Sequence, residues 1–247
     1  MRLLTFSSIA TAIYLWVAFA SASNVYNLEK RASLQVDLGY SIYEGQYTAG
    51  LNLWQGIRYA APPVGSLRFQ KPQPPVQNRS AVIQADSLPY SCLQAPNAFG
   101  LRISEDCLFV NVYAPENANN LPVFVYFHGG GYGAGGGFQN LTNLILANNA
   151  SFVGVTVQYR LAGPGFVSSE EINSKGTVNA GLKDQTFALQ WVQQYISRFG
   201  GDPAAVTICG ESAGAGSVML QALVHNGTNG TSLFNNVCVL FPYNIFN

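Results

Sequence analysis

The stretch "VTICGESAGAGSV" (Val206–Val218) decides how this chain folds. Ala205–Cys209, "AVTIC", is a short continuous apolar run, the composition of a buried strand. Ala213–Val224 reads as a helix. Between them stands Gly210-Glu211-Ser212-Ala213-Gly214, a G-x-S-x-G. The five-residue pattern alone is weak. A buried strand entering and a helix leaving directly after Ser212 give it the context of a nucleophile elbow. Such a turn is tight and strained, so its flanks must be small, and Gly210 and Gly214 meet that need. Ala213, Ala215 and Gly216 let the helix lie close to the sheet. Ser212 is the expected nucleophile, placed where the positive end of the helix dipole favours developing negative charge.

Working outward, "VFVYF" (Val123–Phe127) is a second buried strand, and His128-Gly129-Gly130-Gly131 follows it within a glycine-rich loop, 129–137. Acyl transfer builds negative charge on a former carbonyl oxygen, and backbone N–H groups must be aimed there. The amides of Gly130, Gly131 and Ala213 are the expected oxyanion hole. A phosphate loop would want Lys-Ser/Thr after its last glycine, and none follows. Phe152–Tyr159 is a third buried strand. Over 181–199, Leu182, Leu189, Val192, Ile196 and Phe199 share one helix face, and Gly200-Gly201 ends it. Upstream, Leu34–Tyr59 alternates between turn glycines, as short antiparallel strands do. Prolines make 61–80 a surface connection, and Cys107–Pro115 alternates as a strand. Strands alternating with helices define an α/β fold, its central sheet largely parallel and preceded by antiparallel N-terminal strands.

The chain has 247 residues, 48% hydrophobic and 10% charged, with 12 basic and 12 acidic side chains. That suits one α/β domain. Without a basic run, no nucleic-acid partner is expected. Arg2, the apolar Leu3–Ala20 and the small residues Ala18, Ala20 and Ala22 read as a signal peptide, 1–22, with a membrane anchor as the alternative. Lys30-Arg31 marks either the end of a propeptide, 23–31, or an exposed pair, leaving 32–247 as the domain. The expected location is extracellular, with no stable membrane span once the signal is removed. Sequons at Asn78, Asn140, Asn149, Asn226 and Asn229 are glycosylation candidates. Cys92 and Cys107 lie in a turn-rich region and are able to close a short loop where the compartment is oxidising. Cys209 reads as a small packing hydrophobe; Cys238 has no assigned place. No cysteine spacing fits zinc, and no metal or cofactor is expected.

Four blocks carry a family resemblance: "GIRYAAPPVGSLRF" (Gly56–Phe69), "SEDCLFVNVYAP" (Ser104–Pro115), "HGGGY" (His128–Tyr132) and Asn179–Val218. With them the chain resembles the type-B carboxylesterase/lipase family, and its texture is closest to secreted fungal members. The resemblance implies an α/β-hydrolase fold and hydrolysis of small-molecule or lipid carboxylic esters, with Ser212 as nucleophile and the amides named above. It also implies a Cys92–Cys107 disulfide and a buried Arg68–Glu105 pair. It makes His128 the residue that shapes the oxyanion loop, and Glu211 a buried group behind the serine. Arg58 departs from the family, which usually has Pro there.

A serine hydroxyl needs a base, and in this fold Asp or Glu and then His follow the serine. Ala213–Asn247 contains no Asp, no Glu and one histidine, His225. It lies 13 positions along the expected helix, about 20 Å from Ser212 at 1.5 Å per residue. Asp184 reads as structural. The chain is therefore expected to be a C-terminally truncated member that lacks the acid and histidine of the triad. The alternative reading is an inactive remnant or a non-catalytic binding module of the same fold.

Overall fold

The computed structural model describes residues 33–95, 100–228 and 232–242. From Leu34 onward the described residues fall in one compact unit. The expected signal peptide and propeptide, and Asn229, lie outside the described residues.

Strands β1 (Gln35–Asp37), β2 (Ile42–Glu44) and β5 (Val82–Gln84) make a small sheet in the order β1-β2-β5. The central sheet adds β3 (Gln46–Thr48), β4 (Leu51–Arg58), β8 (Phe109–Pro115), β9 (Leu121–Phe127), β10 (Val153–Val157), β11 (Gly201–Ser212) and β12 (Asn236–Pro242). Its order is β12-β11-β9-β10-β8-β4-β3. The run β12-β11-β9-β10 is parallel, and the run β10-β8-β4-β3 is antiparallel. The two halves meet at β10, so β3 and β4 extend the central sheet while β1 and β2 pair in the small one. A two-stranded piece, β6 (Ser91–Cys92) with β7 (Ile103–Ser104), lies apart.

The helices are α1 (Thr142–Ala147), α2 (Ala162–Phe166), α3 (Glu170–Lys175), α4 (Ala180–Tyr195) and α5 (Ala213–Leu223). Both α4 and α5 pack on β11. The continuous apolar strands are the buried ones: every residue of Val153–Val157 is buried, as are Val125, Phe127, Val206 and Ile208. Two buried faces explain why these runs do not alternate.

β11 is longer than "AVTIC" suggests. It begins at Gly201, but its pairing with β9 shifts register between Gly201 and Val206. Pro203 has no amide for the ladder, and Ala204 N–H instead donates to Asp202 Oδ1 at 2.8 Å. The long helix is α4 followed by a 3₁₀ turn, Ile196–Phe199, closed by Gly200 at φ 82°. Leu182 is only half-buried, and the interior positions of α4 include Asp184 and Gln185.

One ion pair corrects the sequence reading. Arg68 and Glu105 do form a two-point pair, with Arg68 Nη2 at 2.8 Å from Glu105 Oε2. It is not buried: the two side chains are 45% and 24% exposed. The 61–80 connection runs over the surface, so its arginine stays wet. The interior pair is Arg160–Asp184, at 3% and 0% exposed. The family's proline position, Arg58, is also occupied usefully. It binds Asp106 through two hydrogen bonds of 2.6 and 2.9 Å and lies 4.6 Å over the Phe109 ring.

Candidate active site

Ser212 closes β11 and stands at the N-cap of α5 with φ 56°, ψ −121°. That conformation is costly for a residue with a β-carbon, roughly 1–3 kcal/mol, and persists only where surrounding structure forces it. The forcing is visible in the glycines. A β-carbon on Gly214 would lie 2.1 Å from the Phe127 carbonyl oxygen, so the first turn of α5 presses directly on the end of β9. A β-carbon on Gly129 would lie 2.6 Å from the Glu211 carbonyl oxygen and 3.0 Å from the Ser212 β-carbon. The glycine loop therefore lies against the serine turn with no room for a side chain between them. Within the loop, Gly130 has φ 112°, a region open to glycine alone. Its carbonyl accepts from the amides of Gly133 and Ala134 at 3.1 and 3.0 Å.

Polar side chains hold the loop from outside, and sequence reasoning passed over all of them. Gln94 exchanges two hydrogen bonds with Gly135, receiving from its N–H at 3.1 Å and donating to its carbonyl at 3.0 Å. The Gly137 N–H donates to Gln158 Oε1 at 3.1 Å. The Gly137 carbonyl accepts from Asn111 Nδ2 at 2.7 Å and from Thr156 Oγ1 at 2.8 Å. Asn111 and Thr156 face each other across the β8–β10 ladder. The available signal was Asn111 and Thr156 interrupting otherwise apolar strands, because buried polar groups seek partners.

His128 is 1% exposed. Its Nδ1–H donates to the Gly129 carbonyl at 2.8 Å, which fixes the neutral tautomer. Its ring stacks on Tyr159 at 4.4 Å, and the Tyr159 hydroxyl donates to the His128 carbonyl at 2.6 Å. Burial pushes the imidazole down to about 4, against an opposing contribution from the Gly129 hydrogen bond. His128 Nε2 makes no hydrogen bond to Ser212 or to any other described residue. It is thus a buttress of the loop with a proton affinity too low for a base at neutral pH. Glu211 is half-buried rather than buried as expected, with Oε2 directed at the Gly129 backbone.

His225 corrects a smaller point. α5 stops at Leu223, and His225 and Asn226 turn away in left-handed conformations at φ 52° and 57°. The histidine is therefore in the turn beyond the helix, not on it. It lines a cavity of about 360 Å³ with Lys71 and Lys183, and no residue of the serine turn or glycine loop lines that cavity. Asp184 is also elsewhere employed. It receives Arg160 Nε and Nη2 at 2.7 Å each and the Arg160 N–H at 3.1 Å. Burial raises its carboxyl above the ordinary value while Arg160 opposes the rise.

Cys92 and Cys107 are joined as a disulfide. Asn78, Asn140, Asn149 and Asn226 are all exposed. Among the described residues, no helix is long and apolar enough to cross a membrane.

Residues 34–239 match the model of the carboxylesterase family. The chain is 42% identical over 187 residues to para-nitrobenzyl esterase of Bacillus subtilis, covering 72% of this chain and 38% of that protein. It is 41% identical over 201 residues to carboxylesterase 1E of Mus musculus, covering 74% and 35%. The crystal structure of Aspergillus niger EstA superposes with a TM-score of 0.78 at 40% identity, over 85% of this chain and 42% of that one. The chain thus spans little more than a third of the length of these curated relatives.

Proposed function

Because the chain belongs to the carboxylesterase family, we propose that it carries the nucleophile half of a carboxylic ester hydrolase. Ser212 Oγ attacks the ester carbonyl of a small-molecule or lipid substrate. The tetrahedral oxyanion is received by the amides of Gly130, Gly131 and Ala213, each such donor worth roughly 3–4 kcal/mol of barrier. The alcohol departs with a proton, leaving an acyl-serine, and water then attacks the same carbonyl to release the acid. The observation that carries this reading is Ser212 held at φ 56°, ψ −121° with the Gly129 backbone pressed against it. Strain of this kind at a serine serves to present the hydroxyl.

Among the described residues neither histidine is placed to take the proton. His128 is locked into the loop and His225 lies beyond the far end of α5. In this reading the acid–base pair comes from polypeptide outside Met1–Asn247. The exposed sequons at Asn78, Asn140, Asn149 and Asn226 and the closed disulfide support a secreted glycoprotein.

A second reading rests on the same missing base: a fold that keeps the site's shape and binds without turning over. Fluorophosphonate labelling of the folded chain separates the two. A covalent adduct mapped to Ser212, absent from Ser212→Ala, supports the hydrolase reading. A folded sample that takes up no label supports the binding module.

A further inference from the structure

Cys209 and Cys238 have no role in the chemistry above, yet the fold brings them together. They are direct partners in the parallel β11–β12 ladder, and both are free thiols. Their sulfurs stand 2.7 Å apart across 29 residues of chain. Neighbouring strands run about 4.8 Å apart, inside the Cα separation that a disulfide spans. In-register parallel partners also project their side chains to the same face. The only other cysteines in the sequence, Cys92 and Cys107, are already bonded to each other. A chain that closes one disulfide is built for a compartment in which a second can form.

We propose that Cys209 and Cys238 form a second disulfide, one that ties the edge strand β12 to the strand carrying Ser212. The step is thiol–disulfide exchange with a small disulfide oxidant such as oxidised glutathione. The Cys238 sulfur is half-exposed, whereas Cys209 is buried, so Cys238 is the sulfur the oxidant reaches. The Cys238 thiolate, its proton lost to solvent, attacks the oxidant and expels one glutathione thiolate. The Cys209 thiolate then attacks the mixed disulfide at the Cys238 sulfur and expels the second. Two protein thiols are oxidised, and one glutathione disulfide is reduced to two thiols. Burial, reinforced by the neighbouring Cys238 sulfur, pushes the Cys209 thiol up to about 12. Closure is therefore slow at neutral pH and faster in alkaline buffer, since the thiolate is the attacking species.

The edge strand has reason to need such a tie. Among the described residues β12 pairs with β11 alone, and Val237, Val239, Leu240 and Phe241 are exposed along it. The bond stands three residues before Ser212, at the root of the serine turn.

The test is peptide mapping of the full chain after incubation with oxidised glutathione. Thiols are alkylated under denaturing, non-reducing conditions before digestion. The expected result is a cross-linked species joining the Cys209 and Cys238 peptides, two hydrogens lighter than their sum, with no alkylated cysteine. Alkylation at both positions in a sample whose Cys92–Cys107 bond is intact overturns the proposal. So does pairing of either thiol with Cys92 or Cys107. Cys238→Ser leaves the first disulfide in place and is expected to lower the oxidised chain's Tm by roughly 5–10 °C. An unchanged Tm contradicts the strand-holding role.

Discussion

On one side of β11 lies β9, whose Val123, Val125 and Phe127 are at most 1% exposed; on the other lies β12, where Val237 is 51% and Phe241 84% exposed. The first neighbour delivers the glycine loop to the serine turn, and its end is pressed by α5. The loop it delivers is clamped by Gln94, Asn111, Thr156 and Gln158. The second neighbour, among the described residues, pairs on one side alone and carries exposed apolar side chains. Ser212 thus sits at the boundary between a finished half and an open one. In the proposed reading the negative charge is received by the glycine loop together with the first amide of α5, while neither histidine of the chain is placed to take the serine proton.

The largest effect should fall on turnover. If the finished half sufficed for catalysis, the chain would hydrolyse p-nitrophenyl esters at rates near those of complete esterases. We expect rates lower by about 10⁴–10⁶, the cost of a missing triad member. Steady-state assay against Ser212→Ala measures the remainder, and full activity would erase the contrast between the two sides.

Next comes Asp184→Ala, which leaves the buried Arg160 charge without its partner. Loss of stability by about 3–5 kcal/mol is expected, read by urea denaturation. A loss below 1 kcal/mol would mean that the finished half does not rest on this pair.

His128 gives a pH signature of about 3 kcal/mol. Its folded value of about 4 lies below the unfolded value of 6.5. Between the two, the unfolded chain binds the proton and the folded chain does not. Stability is therefore lost as pH falls from 6.5 toward 4, at most about 1.4 kcal/mol per pH unit. His128→Gln should flatten that part of the urea-midpoint profile; an unaltered slope would assign it to another group.

The smallest effect on stability should come from the open edge. Val237→Lys with Phe241→Lys is expected to change ΔG by under about 0.5 kcal/mol. The same pair should raise soluble yield, because charge on an edge strand opposes edge-to-edge pairing. A yield unchanged by both lysines would contradict that role for β12.

Apolar runs and small-residue turns were legible because one local rule fixes each. "VFVYF", "AVTIC" and the G-x-S-x-G between strand and helix read correctly for that reason. What escaped was set by contacts across long separations. Asn111 and Thr156, interrupting buried strands, clamp a loop that lies apart from them in sequence. Asp184 reads as structural from sequence, but its partner, Arg160, 24 residues away, was not foreseen. Arg68–Glu105 was expected inside and lies outside, since sequence records a pair's chemistry and not its depth. His225 was assigned to a helix that ends two residues earlier, with Gly227 beyond it at φ 82°.

The central claim concerns Ser212 and three amides, and a crystal structure of the chain carrying a phosphonate adduct on Ser212 tests it most directly. The account predicts the phosphonyl oxygen at about 2.7–3.1 Å from the nitrogens of Gly130, Gly131 and Ala213. An adduct whose oxygen points into solvent, with those amides bound elsewhere, would contradict it.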